Sequence, residues 1–149
     1  MNTALVARTF VTITAPVADV WEALVTPARI KEYMFGATVT SEWIVGSPIV
    51  WMGVQQGRAY EDRGIILEFV PERILEYSHF SSLTGMADLP ENYHIVTLRL
   101  SVDGARTQVS LSQDNNPTTQ AREEAERQWS VILAGLKHVV ERKRSNDRH

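Results

Sequence analysis

Between Ala37 and Gln113 the sequence offers one strand candidate after another and no helix. The segments are "ATVTSEW" (37–43), "PIVWMGV" (48–54), "AYEDRGIILEFV" (59–70), "RILEYSHFS" (73–81), "YHIVTLRLSV" (93–102) and "ARTQVSLSQ" (105–113). Each is rich in β-branched and aromatic residues, and turn residues separate them. Asp103-Gly104 joins the last two as a tight hairpin. Val96, Leu98, Leu100 and Val102 alternate with Ile95, Thr97, Arg99 and Ser101, and Val109 and Leu111 carry the apolar face past the turn. This pattern predicts an antiparallel meander with one dry side. Such a sheet cannot stand alone; its apolar face needs a cover.

The cover is at the C-terminus. In "NPTTQAREEAERQWSVILAGLKHVVERKR", Asn116 is the expected cap and Pro117 the expected first helical residue. Ala121, Ala125, Trp129, Ile132, Leu133, Leu136 and Val140 fall on one stripe. Glu123, Glu124 and Glu126 lie towards the start and Lys137, Arg142, Lys143 and Arg144 towards the end, which complements the helix dipole. At the other terminus "LVARTFVTIT" (5–14) reads as a strand, with Ala7, Thr9, Val11 and Ile13 on one side. Two short helices follow. Pro16 opens one with Val17, Val20, Trp21 and Leu24 on its stripe; Thr26 caps a second, with Pro27 first and Ile30, Tyr33 and Met34 repeating the pattern.

This order predicts an α+β helix-grip fold: a curved antiparallel sheet of six to seven strands around a long C-terminal helix, with two short helices after the first strand. The first strand pairs with the last strand of the meander, the helix pair clasps the open end, and a cavity lies between sheet and helix. Residues 1–149 form a single domain, with a frayed tail from about 145.

Composition narrows the function classes. The formal net charge of -3 gives no electrostatic reason to expect nucleic acid. The basic end "ERKRSNDRH" reads as dipole compensation plus a solvated tail. There is no cysteine, so disulfides, thiolate metal sites and cysteine nucleophiles are excluded. No apolar run approaches the ~20 residues of a membrane span, and "MNTALVARTFVTITAP" lacks the pattern of a signal peptide, so a cytoplasmic location is expected. No phosphate-binding loop, Rossmann glycine pattern, HExxH or nucleophile elbow occurs, and no cofactor is expected. Gly46 and Gly53 suit a turn and a sheet bend. "DLPENY", with Asp88, Glu91 and Asn92, reads as a loop.

The candidate site residues come from two patterns. A symmetric connection between strands 73–81 and 93–102 pairs Leu75 with Leu98, Tyr77 with Val96 and His79 with His94. Leu98 faces inward, so both histidines share the inner face near one end, where they can meet a polar ligand group, act as acid and base, or bond the wet rim near loop 82–92. Two histidines without a third ligand make no metal site. Trp21, Trp51, Tyr60, Tyr77, Trp129 and Leu133 are the candidates for lining the cavity, with core filling as the alternative, and Trp43 is expected to be partly exposed.

The stretches "APVADVWEALVTP", "WIVGSPIVWMG", "YEDRGIILEFVPERILEYSHFS", "DLPENYHIVTLRL", "GARTQVSLSQDNN" and "EEAERQWSVILAGLKHVV" together resemble the SRPBCC (START-like) superfamily. The branch is that homologous to the C-terminal domain of the activator of the 90-kDa heat-shock-protein ATPase. The resemblance implies the helix-grip fold and a hydrophobic ligand cavity; it implies no shared reaction. It does not extend to the N-terminal domain that engages the chaperone in the eukaryotic protein, so a chaperone partner is not expected. Where that family often has tryptophan after "L-x-Y-x" this sequence has His79, which makes the pocket more polar there. The expected function is binding of a small hydrophobic or amphipathic molecule. The alternatives are a cyclase- or hydratase-like enzyme using His79 and His94, and a co-chaperone-like interaction module; a homodimer is left open.

Overall fold

The computed structural model describes residues 5–147, with side chains as far as Lys143. The elements follow the expected order. β1 (Ala7–Ile13) leads into α1 (Val17–Val25) and α2 (Pro27–Tyr33). Then come β2 (Thr38–Ser41), β3 (Pro48–Gln55), β4 (Arg58–Val70), β5 (Ile74–His79), β6 (His94–Asp103) and β7 (Arg106–Gln113), and α3 (Thr119–Asp147) closes the chain. Single 3₁₀ turns at Ser82–Thr84 and Pro90–Asn92 break the loop between β5 and β6. Of the tail expected from 145, α3 takes in residues up to Asp147, and 148 and 149 lie outside the described residues.

The seven strands form one antiparallel sheet in the order β1-β7-β6-β5-β4-β3-β2. The hairpin register follows from the turns. Leu75 opposes Leu98, Tyr77 opposes Val96 and His79 opposes His94, while Asp103 meets Arg106 across the Gly104 turn. β1 returns beside β7, with Val11 opposite Val109. The inner face and α3 share one core, in which Ile13, Val20, Ile66, Val96, Val109 and Leu136 are fully buried. Val102, expected on this face, is 66 % exposed. β5 begins at Ile74, opposite Arg99, so Val102 has no strand beside it on that side.

Two expected caps are corrected. Asn116 does not cap α3: it is buried, and its side-chain amide donates to the Leu5 and Gln113 carbonyls while accepting from Gln113 Nε2. Thr118 takes the role instead, its hydroxyl accepting from Ala121 N–H at 3.0 Å. Pro16 stands just before α1 rather than inside it, and Thr26 precedes α2 without a capping bond from its side chain. α2 is held by Tyr33, whose hydroxyl donates to the Ala23 carbonyl at 2.9 Å. Burial pushes that phenol well above the ordinary tyrosine range. α3 passes close by: a Cβ on Gly135 would sit 3.1 Å from Tyr33 Cβ.

α3 also manages the free edge of the sheet. An edge strand exposes unpaired N–H and C=O groups that invite pairing with another chain. Here Glu126 accepts from Arg8 N–H, Glu141 accepts from Thr14 N–H at 2.8 Å, and Lys137 donates to the Thr12 carbonyl at 3.0 Å. Thr9 and Ser130 share a further hydroxyl bond. The acidic and basic residues along this helix, whose placement suits the dipole, therefore also cap the edge of β1. At the other edge β2 is only four residues long.

Candidate functional site

The seam between sheet and α3 divides into two parts. One is apolar and almost filled. Leu24, Ile30, Val39, Ile49, Leu75, Leu98, Leu133 and Leu136 converge there with Tyr33, Trp43, Trp51, Tyr77 and Trp129, leaving about 30 Å³. That volume is roughly one water molecule's share of liquid water. The other part is a cleft of about 390 Å³ at the end where β5 and β6 carry their histidines. This falls within the ~300–1,000 Å³ range of ligand pockets.

The walls of the cleft differ in chemistry. Trp51 on β3, Tyr77 on β5 and Trp129 and Ile132 on α3 form its apolar side. Trp51 packs on Tyr77 with ring centres 5.0 Å apart and meets the His79 ring edge-on at 4.9 Å. Trp129 is pinned by its indole N–H, which donates to Gln113 Oε1 at 2.7 Å; Gln113 Nε2 in turn donates to Asn116 Oδ1. Asp62, His79 and His94 stand beside Trp51 and Tyr77 on the same face of the sheet and form the polar part, with Tyr60 at its edge. Gly53 makes room for Tyr60, because a Cβ there would meet the phenol oxygen at 2.7 Å. Burial, with the Asp62 carboxylate adding to it, pushes the Tyr60 phenol up.

The polar groups are oriented by bonds that leave little choice. Asp62 is opposite Trp51 in the β3–β4 register and turns into the cleft. Its Oδ1 accepts from Ser82 N–H at 3.2 Å, and its Oδ2 accepts from His79 Nε2 at 3.0 Å. His94 Nδ1 donates to the Asp114 carbonyl at 2.8 Å. Neither histidine uses a side chain of loop 82–92; the carboxylate of β4 and a backbone carbonyl hold them. Asp88, in that loop, accepts from the Tyr93 hydroxyl and pairs with Arg63 at 3.5 Å.

Of the residues expected to line a cavity, Trp51, Tyr60, Tyr77, His79, His94 and Trp129 come together in the cleft. Leu133 lies in the closed part, nearly fully buried. Trp21 lines neither; it is core filler, edge-on to Phe69 at 5.3 Å. A helical stripe tells that a residue faces the core but not which stretch of the core it meets. Trp43 is half-buried as expected and tilts against Phe69. Sequence reasoning passed over Asp62, Gln113 and Gln128. Asp62 alone had a signal: it lies two residues from Tyr60 on a strand, hence on the same face. Among the described residues no group of three or more His, Cys, Asp or Glu is placed to hold a metal ion.

Comparison with known proteins places the fold. The chain is 52% identical to protein ChR145 from Cytophaga hutchinsonii, whose solution structure it matches with a TM-score of 0.84 over 97% of this chain and 99% of that one. More distant structures share the fold. Protein NE0264 from Nitrosomonas europaea matches at 16% identity and a TM-score of 0.76, covering 97% of this chain and 99% of that one. The Aha1 dimer from Colwellia psychrerythraea, in solution, matches at 19% identity and 0.71, covering 91% and 96%. No curated protein matches the sequence. The family model described as "Activator of Hsp90 ATPase homolog 1-like protein" matches residues 14–141, nearly the whole helix-grip domain, and the chain belongs to that family.

Proposed function

We propose that the protein binds a small amphipathic molecule in the cleft between the sheet and α3. One observation carries this reading. The apolar seam closes almost completely around its own side chains, yet the same seam opens into about 390 Å³ where Asp62, His79 and His94 stand among Trp51, Tyr77 and Trp129. A cleft with one aromatic wall and a few converging polar groups is the usual form of a small-molecule site. The test uses N-phenyl-1-naphthylamine, a neutral apolar dye. Saturable binding of one dye per chain is expected. Gln128 is an exposed α3 residue on the cleft wall, so Gln128→Trp should fill the space and weaken the dye at least about tenfold with an unchanged melting temperature. Absence of saturable binding, or full binding by that variant, would sink the reading.

A second reading is favoured by the Asp62–His79 contact. A carboxylate that orients an imidazole is the arrangement of a general base. In that case the cleft belongs to an enzyme that moves a proton on its ligand. Recovering each bound compound after incubation distinguishes the two: unaltered mass supports a carrier, and conversion that depends on His79 makes the protein an enzyme. Because Aha1 from Colwellia psychrerythraea is a dimer in solution, self-association belongs to the reading too, and sedimentation equilibrium measures it.

A further inference from the structure

We propose that the cleft selects a ligand carrying a hydroxyl group, an alcohol or phenol on an apolar body, and that Tyr77, His79 and His94 read that group. The inference rests on the cleft being a binding site and names the class of molecule it takes. Its first support is Tyr77. The residue is only 5% exposed, yet its hydroxyl has no hydrogen-bond partner among the described residues. Nor is that oxygen fully buried: the only fully buried side-chain nitrogens or oxygens left without a partner, among the described residues, are Arg29 Nε and Arg122 Nε. The phenol oxygen of a buried residue thus keeps some open surface, and of the two spaces its residue lines only the cleft has room for more than a water-sized group. Buried tyrosines ordinarily give their hydroxyl a partner, as Tyr33 does with Ala23. Burial holds the Tyr77 phenol well above the ordinary range, so it remains a donor at neutral pH.

The second support is the pair of imidazoles. A carboxylate oxygen and a backbone carbonyl can only accept, so His79 carries its hydrogen on Nε2 and His94 carries its hydrogen on Nδ1. In the neutral rings the remaining nitrogens, His79 Nδ1 and His94 Nε2, are therefore acceptors. Neither has a protein partner among the described residues, and neither is fully buried. Tyr77 and His79 stand two apart on β5, hence on one face, and His94 is directly opposite His79 on β6. The residues that carry one donor and two acceptors are thus neighbours on one face of the sheet and line the cleft with Trp51 and Trp129. A hydroxyl is the simple group that accepts from the first and donates to one of the others. An ether can only accept, and a hydrocarbon can do neither.

The experiment measures three probes of one shape by equilibrium dialysis at pH 8: 2-naphthol, 2-methoxynaphthalene and naphthalene. The wild type should bind 2-naphthol roughly five- to tenfold more tightly than its methyl ether, the size expected of one net hydrogen bond. In the His79→Leu, His94→Leu double variant that preference should collapse to within about twofold. Tyr77→Phe should lower the ratio of naphthol to naphthalene affinity severalfold. It removes a hydroxyl without a protein partner, so its melting temperature reports that the fold is intact. Equal binding of naphthol and ether by the wild type overturns hydroxyl recognition while leaving the cleft as a site. A preference that survives in the double variant, or an unchanged ratio in Tyr77→Phe, also overturns it. Failure of all three probes to bind removes the binding reading itself.

Discussion

The closed and open parts of the seam are built from the same sheet and the same helix, and five residues, Met34, Trp51, Tyr77, Trp129 and Ile132, line both. In the closed part aliphatic side chains meet from β2, β3, β5, β6, α1, α2 and α3, and they interdigitate until about 30 Å³ remains. In the open part polar side chains stand among the rings, and several are held by bonds to the protein. Asp62 is tied to Ser82 and His79, His94 to Asp114, and Gln113 to Trp129 and Asn116. A hydrogen bond fixes a side chain at one distance from its partner, whereas an aliphatic group moves until it touches its neighbours. Polar groups held in this way keep space open. The difference teaches that the cleft is maintained by bonds within its walls rather than by an absence of atoms to fill it.

Substitutions can break or sharpen this comparison. The largest effect should come from the closed part: Leu136→Ala, at a fully buried site, should cost roughly 2–5 kcal/mol in urea unfolding. Leu83→Ala, on the half-buried rim of the cleft, should cost about 1 kcal/mol or less. Equal costs would erase the distinction between packed and open halves.

The two tyrosines give a finer contrast. Tyr33→Phe deletes a buried bond to the Ala23 carbonyl and should cost about 1 kcal/mol, or more if the carbonyl is left unpaired. Tyr77→Phe deletes no bond to the described residues and should leave thermal stability within about 0.5 kcal/mol of wild type. A large loss in the second variant would mean that the Tyr77 hydroxyl does structural work.

The smallest effect concerns Glu141, which lies outside both parts and holds α3 to the edge of β1. Burial raises its pKa, but the bonds from Lys137 and from Thr14 N–H outweigh this, and together they hold the carboxyl below its ordinary value of 4.5. A depressed folded-state value means stability that is present above about pH 4.5 and is lost as pH falls through the folded value. Glu141→Gln should therefore destabilise by about 1 kcal/mol at pH 7, and its difference from wild type should shrink as pH drops below 4.5. A difference that stays constant down to pH 3 would show that the ionised form is not what clamps the edge.

Much of the fold could be read directly. Strand alternation and the Asp103-Gly104 turn led to the correct β5–β6 and β6–β7 pairings, because a side-chain period of two admits no slip without turning the apolar face outward. The pairing of His79 with His94 came from the same symmetry. Less of the site was legible. Trp21 satisfied the same helical periodicity as Val20 and Leu24, so nothing local separated a core tryptophan from a cleft tryptophan. Asp62 was passed over although it shares a face with Tyr60, since its role depends on a residue 17 positions away. Asn116 beside Pro117 looked like a cap and proved to be a buried bracket between Leu5 and Gln113.

By itself the sequence determined what neighbours along the chain decide. Strand and helix periods, turn chemistry, the inward face of each element and the need for one long helix over one sheet all depend on residues a few positions apart. Only the tertiary structure decided where the seam closes and where it stays open. It also decided that Glu126, Lys137 and Glu141 guard the edge of β1, and that the Tyr77 hydroxyl has no partner among the described residues. The reason is range. Those outcomes are set by groups that the chain separates by more than a hundred residues, or by the room left after every element has packed, and no local pattern records either.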